Sequence, residues 1–510
     1  MSNEENSNGV FRPFGSRLSR VGIVVLLFSL AAMVEAVQLA SLRNYDVWEH
    51  LRTGSWILAN QTWPTTGLFS QAANFPWRDF NWLGDAAIAL SYRILGLSAV
   101  PALWMVYRSM LAAVTFCLAG GLRGRFWLAV GLSAVAQYLL LGFGPIAGGN
   151  SAIFFAVELC VLLEARRTRR FRALFWLAPM LVLWANIDLG FVYGIGLLAV
   201  LLAALGVEKF VVKDDAETAE KNGFETAVRA VGAGVLATFL TPYGYHSYST
   251  FFAVQTSPAN RYIFEYTAMT FHQPQDYLLL LLTMAAFLAL GLRRSRDLFL
   301  IPVFVLCTAL SFYAQHDNWL AVLGAVAVIG STVSAGSVIR REELQGRLRP
   351  LVLPAAVSLV LVVVSYGLVV PHDRSALLAR MAENLPVHAC DHIRQQQLPA
   401  PLFNTQTWGS FLIWYLPEYP VAVDARRALY PDNWETDYFR VMKVLAPYQE
   451  FAPMMQARTL LLYRQSVMAD ALRSVAGFRV AYEDNLAVVL VHDNGTGASS
   501  PELRNGTASN

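Results

Sequence analysis

Apolar stretches long enough to cross a lipid bilayer recur along most of this chain, and no soluble fold has an interior that could hide them all. About 20 predominantly apolar residues span the hydrocarbon core as a helix. Eleven segments of the 510-residue chain fit or approach that length. They run from Val21 to Ala40, Val100 to Gly120, Phe126 to Phe143, Ser151 to Leu163, Leu174 to Ala185, Phe191 to Leu205 and Ala227 to Leu240. Tyr277 to Leu292, Leu298 to Tyr313, Trp319 to Val333 and Leu351 to Val370 complete the set. Only 15% of the residues are charged, against roughly 25% in a soluble protein. The chain is therefore expected to be a mainly α, polytopic membrane protein.

Basic residues test the count, because Lys and Arg collect on the cytoplasmic side. Arg12, Arg17 and Arg20 precede the first segment, Arg123 and Arg125 follow the second, and five Arg between 166 and 172 follow the fourth. Arg293, Arg294 and Arg296 follow the eighth, and Arg340, Arg341, Arg347 and Arg349 precede the eleventh. With eleven spans all five clusters fall on one side. This predicts a cytoplasmic N-terminal tail (1–20) and a transmembrane domain (21–371) with an outer loop at 41–97, all in a bacterial inner membrane. The net charge of +3, dispersed between apolar runs, excludes a nucleic-acid surface. The four Cys offer neither a disulfide framework nor metal-ligand spacing.

After Pro371 the pattern changes. "PLFNT", "VAVDARR", "TLLLY", "FRVAYED" and "LAVVLVHD" read as strands, and "TDYFRVMKVL" and "SVMADALRSVA" have helical spacing. A small extracytoplasmic α/β domain is expected over 372–495, followed by a disordered Gly, Ser and Asn rich tail at 496–510. Asp424, Arg426 and Arg427 would lie just past a strand, at the edge where α/β sheets hold ligands. Two Arg there suit a phosphate or an acidic sugar; equally, Asp424 would pair with a neighbouring Arg to fix the loop.

The loop after the first span carries the densest chemistry. In "NYDVWEHLRTGSWI", Asp46, Glu49 and His50 stand at i, i+3 and i+4, which puts them on one face of a helical turn. A carboxylate and an imidazole on one face suit a general base or a cation site. Trp56, Trp82 and three other Trp share the loop with Arg52, and stacked indoles with carboxylates suit a sugar ring. The plainer reading is an interfacial segment, since Trp prefers the headgroup level.

"YDVWEHLRTGSWILANQTWPTTGLFS" followed by "FPWRDFNWL" resembles the first outer loop of bacterial multi-spanning proteins related to the GT-C superfamily of glycosyltransferases. The matching positions are Asp46, Trp48, His50, Gly54, Trp56, Ile57, Pro64, Phe69, Ser70, Trp82 and Leu83. "WANIDLGFVYG", "LTPYGYHSY" and "WGSFLIWYLPEYPVAVDARRALYPD" resemble later segments of the same group, so the similarity touches most of the chain from Arg43 to His492. The resemblance implies a GT-C-like fold and sugar transfer from a polyprenyl-phosphate donor on the outer face, with Asp46 as base or metal-assisted activator. Two departures bear on the donor. Ile187 and Asp188 stand where His-Gly often follows Trp-Ala-Asn, and an Arg expected near the fourth span is absent from "GPIAGGNSAIFF". Asp188 either adds a second carboxylate, favouring a divalent cation, or caps a helix.

Taken together, Asp46, Glu49 and His50 are the candidate catalytic residues. Arg52, Trp56, Trp82, Asp188, Tyr243, His246, Asp424, Arg426 and Arg427 are the candidates for substrate binding. The expected partners are the bilayer, a lipid-linked sugar donor and other proteins of a membrane complex. No cofactor is specified beyond a possible divalent cation. A catalytically inactive GT-C-fold scaffold or accessory subunit is the alternative function. A transporter is disfavoured by the lack of paired broken helices.

Overall fold

The computed structural model describes residues 17–121, 125–146, 148–210, 217–333 and 356–492. The start of the N-terminal tail, the basic cluster around Arg340 and the tail expected at 496–510 lie outside the described residues. Helices run in the order α1 Arg17–Gln38, α2 Val47–Asn60, α3 Trp82–Leu95, α4 Ala99–Leu118, α5 Phe126–Leu139, α6 Gly149–Thr168, α7 Leu177–Ala185, α8 Phe191–Phe210, α9 Glu217–Ala237 and α10 His246–Thr256. They continue with α11 Pro274–Arg293, α12 Leu300–Tyr313, α13 Asn318–Val333, α14 Ala356–Val369, α15 Arg374–Met381, α16 Val387–Gln395, α17 Gln406–Tyr415, α18 Asp432–Met442, α19 Ala452–Met455 and α20 Val467–Arg473. Four strands, β1 Leu402–Asn404, β2 Thr459–Tyr463, β3 Phe478–Glu483 and β4 Ala487–His492, interleave with the last helices.

These elements make two compact units. The first comes from Met1–Ser41, Ser98–Tyr245 and Glu265–Pro371, the second from Leu42–Leu97, His246–Phe264 and His372–Asn510. All eleven apolar segments coincide with helices of the first unit: α1, α4 to α9 and α11 to α14. By length and apolarity, four stretches among the described residues suffice to cross a membrane: Arg20–Gln38, Trp82–Leu118, Phe191–Lys209 and Pro274–Arg293. Others, such as α5 and α12, are apolar but shorter.

Several polar groups inside the first unit are satisfied by backbone. Ser133 Oγ on α5 donates to Ala112 O on α4 at 3.0 Å, the kind of short hydroxyl link that joins apolar helices. Arg108 donates to the carbonyls of Leu140 and Leu141 at the C-terminal end of α5, where a helix favours a cation. Glu35 Oε1 accepts from Ser41 N at 2.9 Å.

The second unit is built on a four-stranded sheet of order β1-β2-β4-β3. β1 and β2 are parallel, with Leu402 opposite Thr459, and β4 runs antiparallel to both β2 and β3. The continuous apolar runs of β2 and β4 are buried because helices and loops cover the sheet. "VAVDARR" does not form the strand expected of it. Val421 makes only an isolated bridge to Ser70, and the Asn404 side chain takes the place of a neighbouring strand. Its Oδ1 accepts from Ala422 N and its Nδ2 donates to Val423 O, both at 2.8 Å. With those groups satisfied by one amide, the segment needs no ladder.

Residues 42–97 belong to the core of this same unit. Ala72 and Trp77 are buried with Phe403, Tyr430, Leu460 and Leu490, and Gln71 Nε2 donates to Leu402 O at 2.6 Å. The apolar helix α17 explains itself here: Phe411 is fully buried against Trp48 of α2, ring centroids 6.2 Å apart. Burial of such a ring stabilises by on the order of 2 kcal/mol.

Candidate functional site

Two close backbone approaches create the site. On α2, a Cβ at Gly54 would lie 1.9 Å from Asp85 O, so only glycine lets α3 come this near. One turn earlier on the same face, His50 meets Asp85, with Nδ1 2.8 Å from Oδ1. On α17, a Cβ at Gly409 would lie 2.2 Å from Val423 O, which allows the segment Val421–Arg427 to lie against that helix.

Asp46 begins α2. Its backbone N–H and that of Val47 donate to Asn44 Oδ1, so Asn44 caps the turn while the Asp46 side chain makes no capping bond. Asp46 is half-buried, whereas Glu49 and His50 are buried. Asp46 is thus the least buried residue of the three.

The buried pair joins a charged network. His50 Nδ1 lies 3.3 Å from Glu49 Oε1, and Glu49 Oε2 lies 3.7 Å from Arg426 Nε. Arg426 pairs with Asp424, its Nη2 and Nε at 2.7 and 3.0 Å from Oδ2 and Oδ1. Tyr430 donates to Asp424 Oδ2 at 2.8 Å. The Arg426 guanidinium lies 4.7 Å from the Trp77 ring centre, and the Phe69 ring is within 6.0 Å of Arg426 and 5.3 Å of Arg52. Phe69 holds this position with a φ of 68°, a left-handed conformation costly for a bulky residue.

Burial dominates the electrostatics. It raises Glu49 to about 7, against the attraction of His50 and Arg426. It also holds Asp79 well above the carboxylate range, helped by Asp85 and Glu49, and raises Asp85. For His50 burial favours the neutral ring, but Asp85 and Glu49 overcome it and push the imidazolium up to about 10. A buried, protonated His50 cannot act as a general base near neutrality. Glu49, His50 and Asp85 each present a ligand atom within 4.8 Å of the others.

The remaining candidates divide by what they touch. Trp56 is half-buried. Trp82, also half-buried, packs edge-on against Trp63 at 5.9 Å. Arg427 Nε bonds both oxygens of Glu435 at 2.9 and 3.2 Å, and its Nη2 donates to Asn260 Oδ1 at 2.8 Å. His246 opens α10 in the same unit. Asp188 and Tyr243 belong to the first unit. Asp188 Oδ2 accepts from Gly148 N at 2.7 Å and Ser151 N at 3.3 Å at the start of α6, the capping reading of this residue. Tyr243 N donates to Thr241 Oγ1 in the turn before α10. Sequence reasoning passed over Asp79 and Asp85 as partners of His50; their spacing of 29 and 35 residues from it carries no local signal.

The fold is therefore a mostly helical chain with several helices apolar enough for a membrane and an α/β unit that holds the charged site. No family model matches the chain, and no curated protein does. Solved structures resemble it. ArnT from Cupriavidus metallidurans bound to undecaprenyl phosphate is 13% identical with a TM-score of 0.46, over 95% of this chain and 99% of that one. The archaeal oligosaccharyltransferase AglB from Archaeoglobus fulgidus, in complex with an inhibitory peptide and a dolichol-phosphate, is 11% identical with a TM-score of 0.49, over 88% of this chain and 69% of that one.

Proposed function

We propose that this chain is a membrane glycosyltransferase that moves a sugar from a polyprenyl-phosphate donor to an acceptor hydroxyl on the outer face of a bacterial inner membrane. The observation that carries the reading is the contrast within one helical turn. Asp46, in the motif that resembles the GT-C first outer loop, is half-buried, while Glu49 and His50 are buried. In the reaction Asp46 takes the acceptor's hydroxyl proton as that oxygen bonds to the anomeric carbon. The bond from that carbon to the phosphate oxygen breaks, and the lipid phosphate leaves with the electron pair. Arg52, Trp56, Trp82 and His246 are the proposed contacts for phosphate and sugar. Asp424, Arg426 and Arg427 fix the loop that supports them. The proposed topology has eleven spans, a cytoplasmic N-terminus and an outward second unit that includes the loop at 41–97, His246–Phe264 and the domain at 372–495.

The buried Glu49–His50–Asp85 network favours one other reading, a non-catalytic GT-C-fold subunit whose outer loop is held rigid for a protein partner. One experiment separates them. The purified full chain, in lipid, is given a panel of undecaprenyl-phosphate sugars, and release of undecaprenyl phosphate is followed. Asp46→Asn is expected to lower turnover by about 10²- to 10⁴-fold without loss of folded protein. Wild-type turnover in that variant removes Asp46 as the base. Absence of turnover with every donor, together with a stoichiometric co-purifying protein, favours the subunit.

A further inference from the structure

The cluster at the junction of α2 and α3 lacks positive charge. Four acidic groups are buried there: Glu49, Asp79, Asp85 and Asp424. The cations that face them are His50 on α2 and Arg426 on the loop after α17. Arg426 gives its two best bonds to Asp424. A single hydrogen on His50 Nδ1 is left between Asp85 Oδ1 and Glu49 Oε1. Glu49 Oε2, Asp79 Oδ2 and Asp85 Oδ2 are buried without a hydrogen-bond partner. Asp79 and Asp85 oppose one another's negative charge, so those two acids need either a shared proton or a cation to sit together. A buried carboxylate oxygen left without a partner is costly.

We propose that Glu49, His50 and Asp85 bind a divalent transition-metal cation that ties α2 to α3. The three ligand atoms lie within 4.8 Å of one another, and His50 Nδ1 is 2.8 Å from Asp85 Oδ1 and 3.3 Å from Glu49 Oε1. Ligands held about 2.0–2.2 Å from one ion lie about 3.0–3.5 Å apart, so small side-chain adjustments complete the set. One imidazole nitrogen with two carboxylate oxygens is a donor set for Zn2+ or Mn2+. The ion takes the place of the Nδ1 proton, and Nε2 keeps the remaining hydrogen. Asp46 is not a ligand. It rides on the turn that the ion fixes, so the site is a structural one and stands whether or not the chain transfers sugar.

The test uses the full chain purified in lipid, stripped with a chelator and then titrated with Zn2+ or Mn2+ alone. Bound metal is counted by mass spectrometry after gel filtration, and thermal unfolding is followed in parallel. One ion per chain and a higher Tm on loading are expected, because an ion that binds only the folded state stabilises it. His50→Gln and Asp85→Asn should each weaken binding by at least about tenfold, while Asp391→Asn, in the same unit, should not. Should the first two variants fail to fold, X-ray absorption of the loaded wild-type chain decides. One imidazole among oxygen ligands supports the site; a shell with no imidazole, or with several, overturns it. Less than stoichiometric metal with an unchanged Tm overturns it too, and would mean that protons alone supply the missing charge.

Discussion

Arg426 shows what a buried ion pair does at the scale of one residue. Arg426 is 6% exposed and Asp424 is fully enclosed, so each charge depends on the other for the interactions it lost on leaving water. Asp424→Asn is expected to destabilise the second unit by about 3–5 kcal/mol, because it strands the guanidinium. Replacing both residues, Asp424→Leu with Arg426→Met, should cost less than the single change. Thermal unfolding of the three variants tests this, and a double variant no better than Asp424→Asn would contradict it. At the surface the same chemistry is weak and responds to pH. Hydrogen bonds from Arg473 and Arg464 hold the Glu483 carboxyl below its ordinary 4.5. A depressed acid stabilises the fold above its unfolded pKa, and the gain disappears as pH falls through the folded value. The Tm difference between wild type and Glu483→Gln should therefore be constant from pH 8 to pH 6 and shrink progressively as the pH falls below 4.5.

Elements are placed here by what cannot fit between them. Gly54 lets α2 and α3 meet at Asp85 O, and the cluster of His50 and Asp85 follows from that approach. Gly54→Ala is expected to force the helices apart at a cost of about 3 kcal/mol or more and to cut the yield of folded chain. Gly196, on α8, has nothing within 4 Å of its would-be Cβ, so Gly196→Ala should be close to neutral in the same assay. Equal effects at both positions would show that the close approach is not what matters. The element that escaped sequence reading, Val421–Asp424, teaches the converse. A short apolar block predicts a strand, but the Asn404 amide supplies the bonds that a neighbouring strand would give. No periodicity encodes that, because the partner is a side chain 18 residues away.

At the scale of the whole molecule, the proposed topology makes a prediction of its own. An odd number of spans sends the two ends of the chain to opposite sides. A reporter enzyme active only outside the cytoplasm, fused after His492, should be active, and the same fusion before Arg17 should not. Activity at both ends would require an even number of crossings and return the second unit to the side of the basic clusters.

The sequence alone determined where the helices of the first unit lie, because long apolar runs have few alternatives and each coincides with a helix. It also pointed to the stretch from Asp46 to Ile57 as the centre of the chemistry. It did not say which of Asp46, Glu49 and His50 meets solvent, nor that Asp85 and Arg426 complete the network. Glu49 and Arg426 are 377 positions apart in the numbering, and only the packing of α2 against α3 and of α17 against its loop brings them together. Burial then decided the rest: a carboxylate has one chemistry in water and another inside a protein, and the chain's order of residues does not state which it will meet.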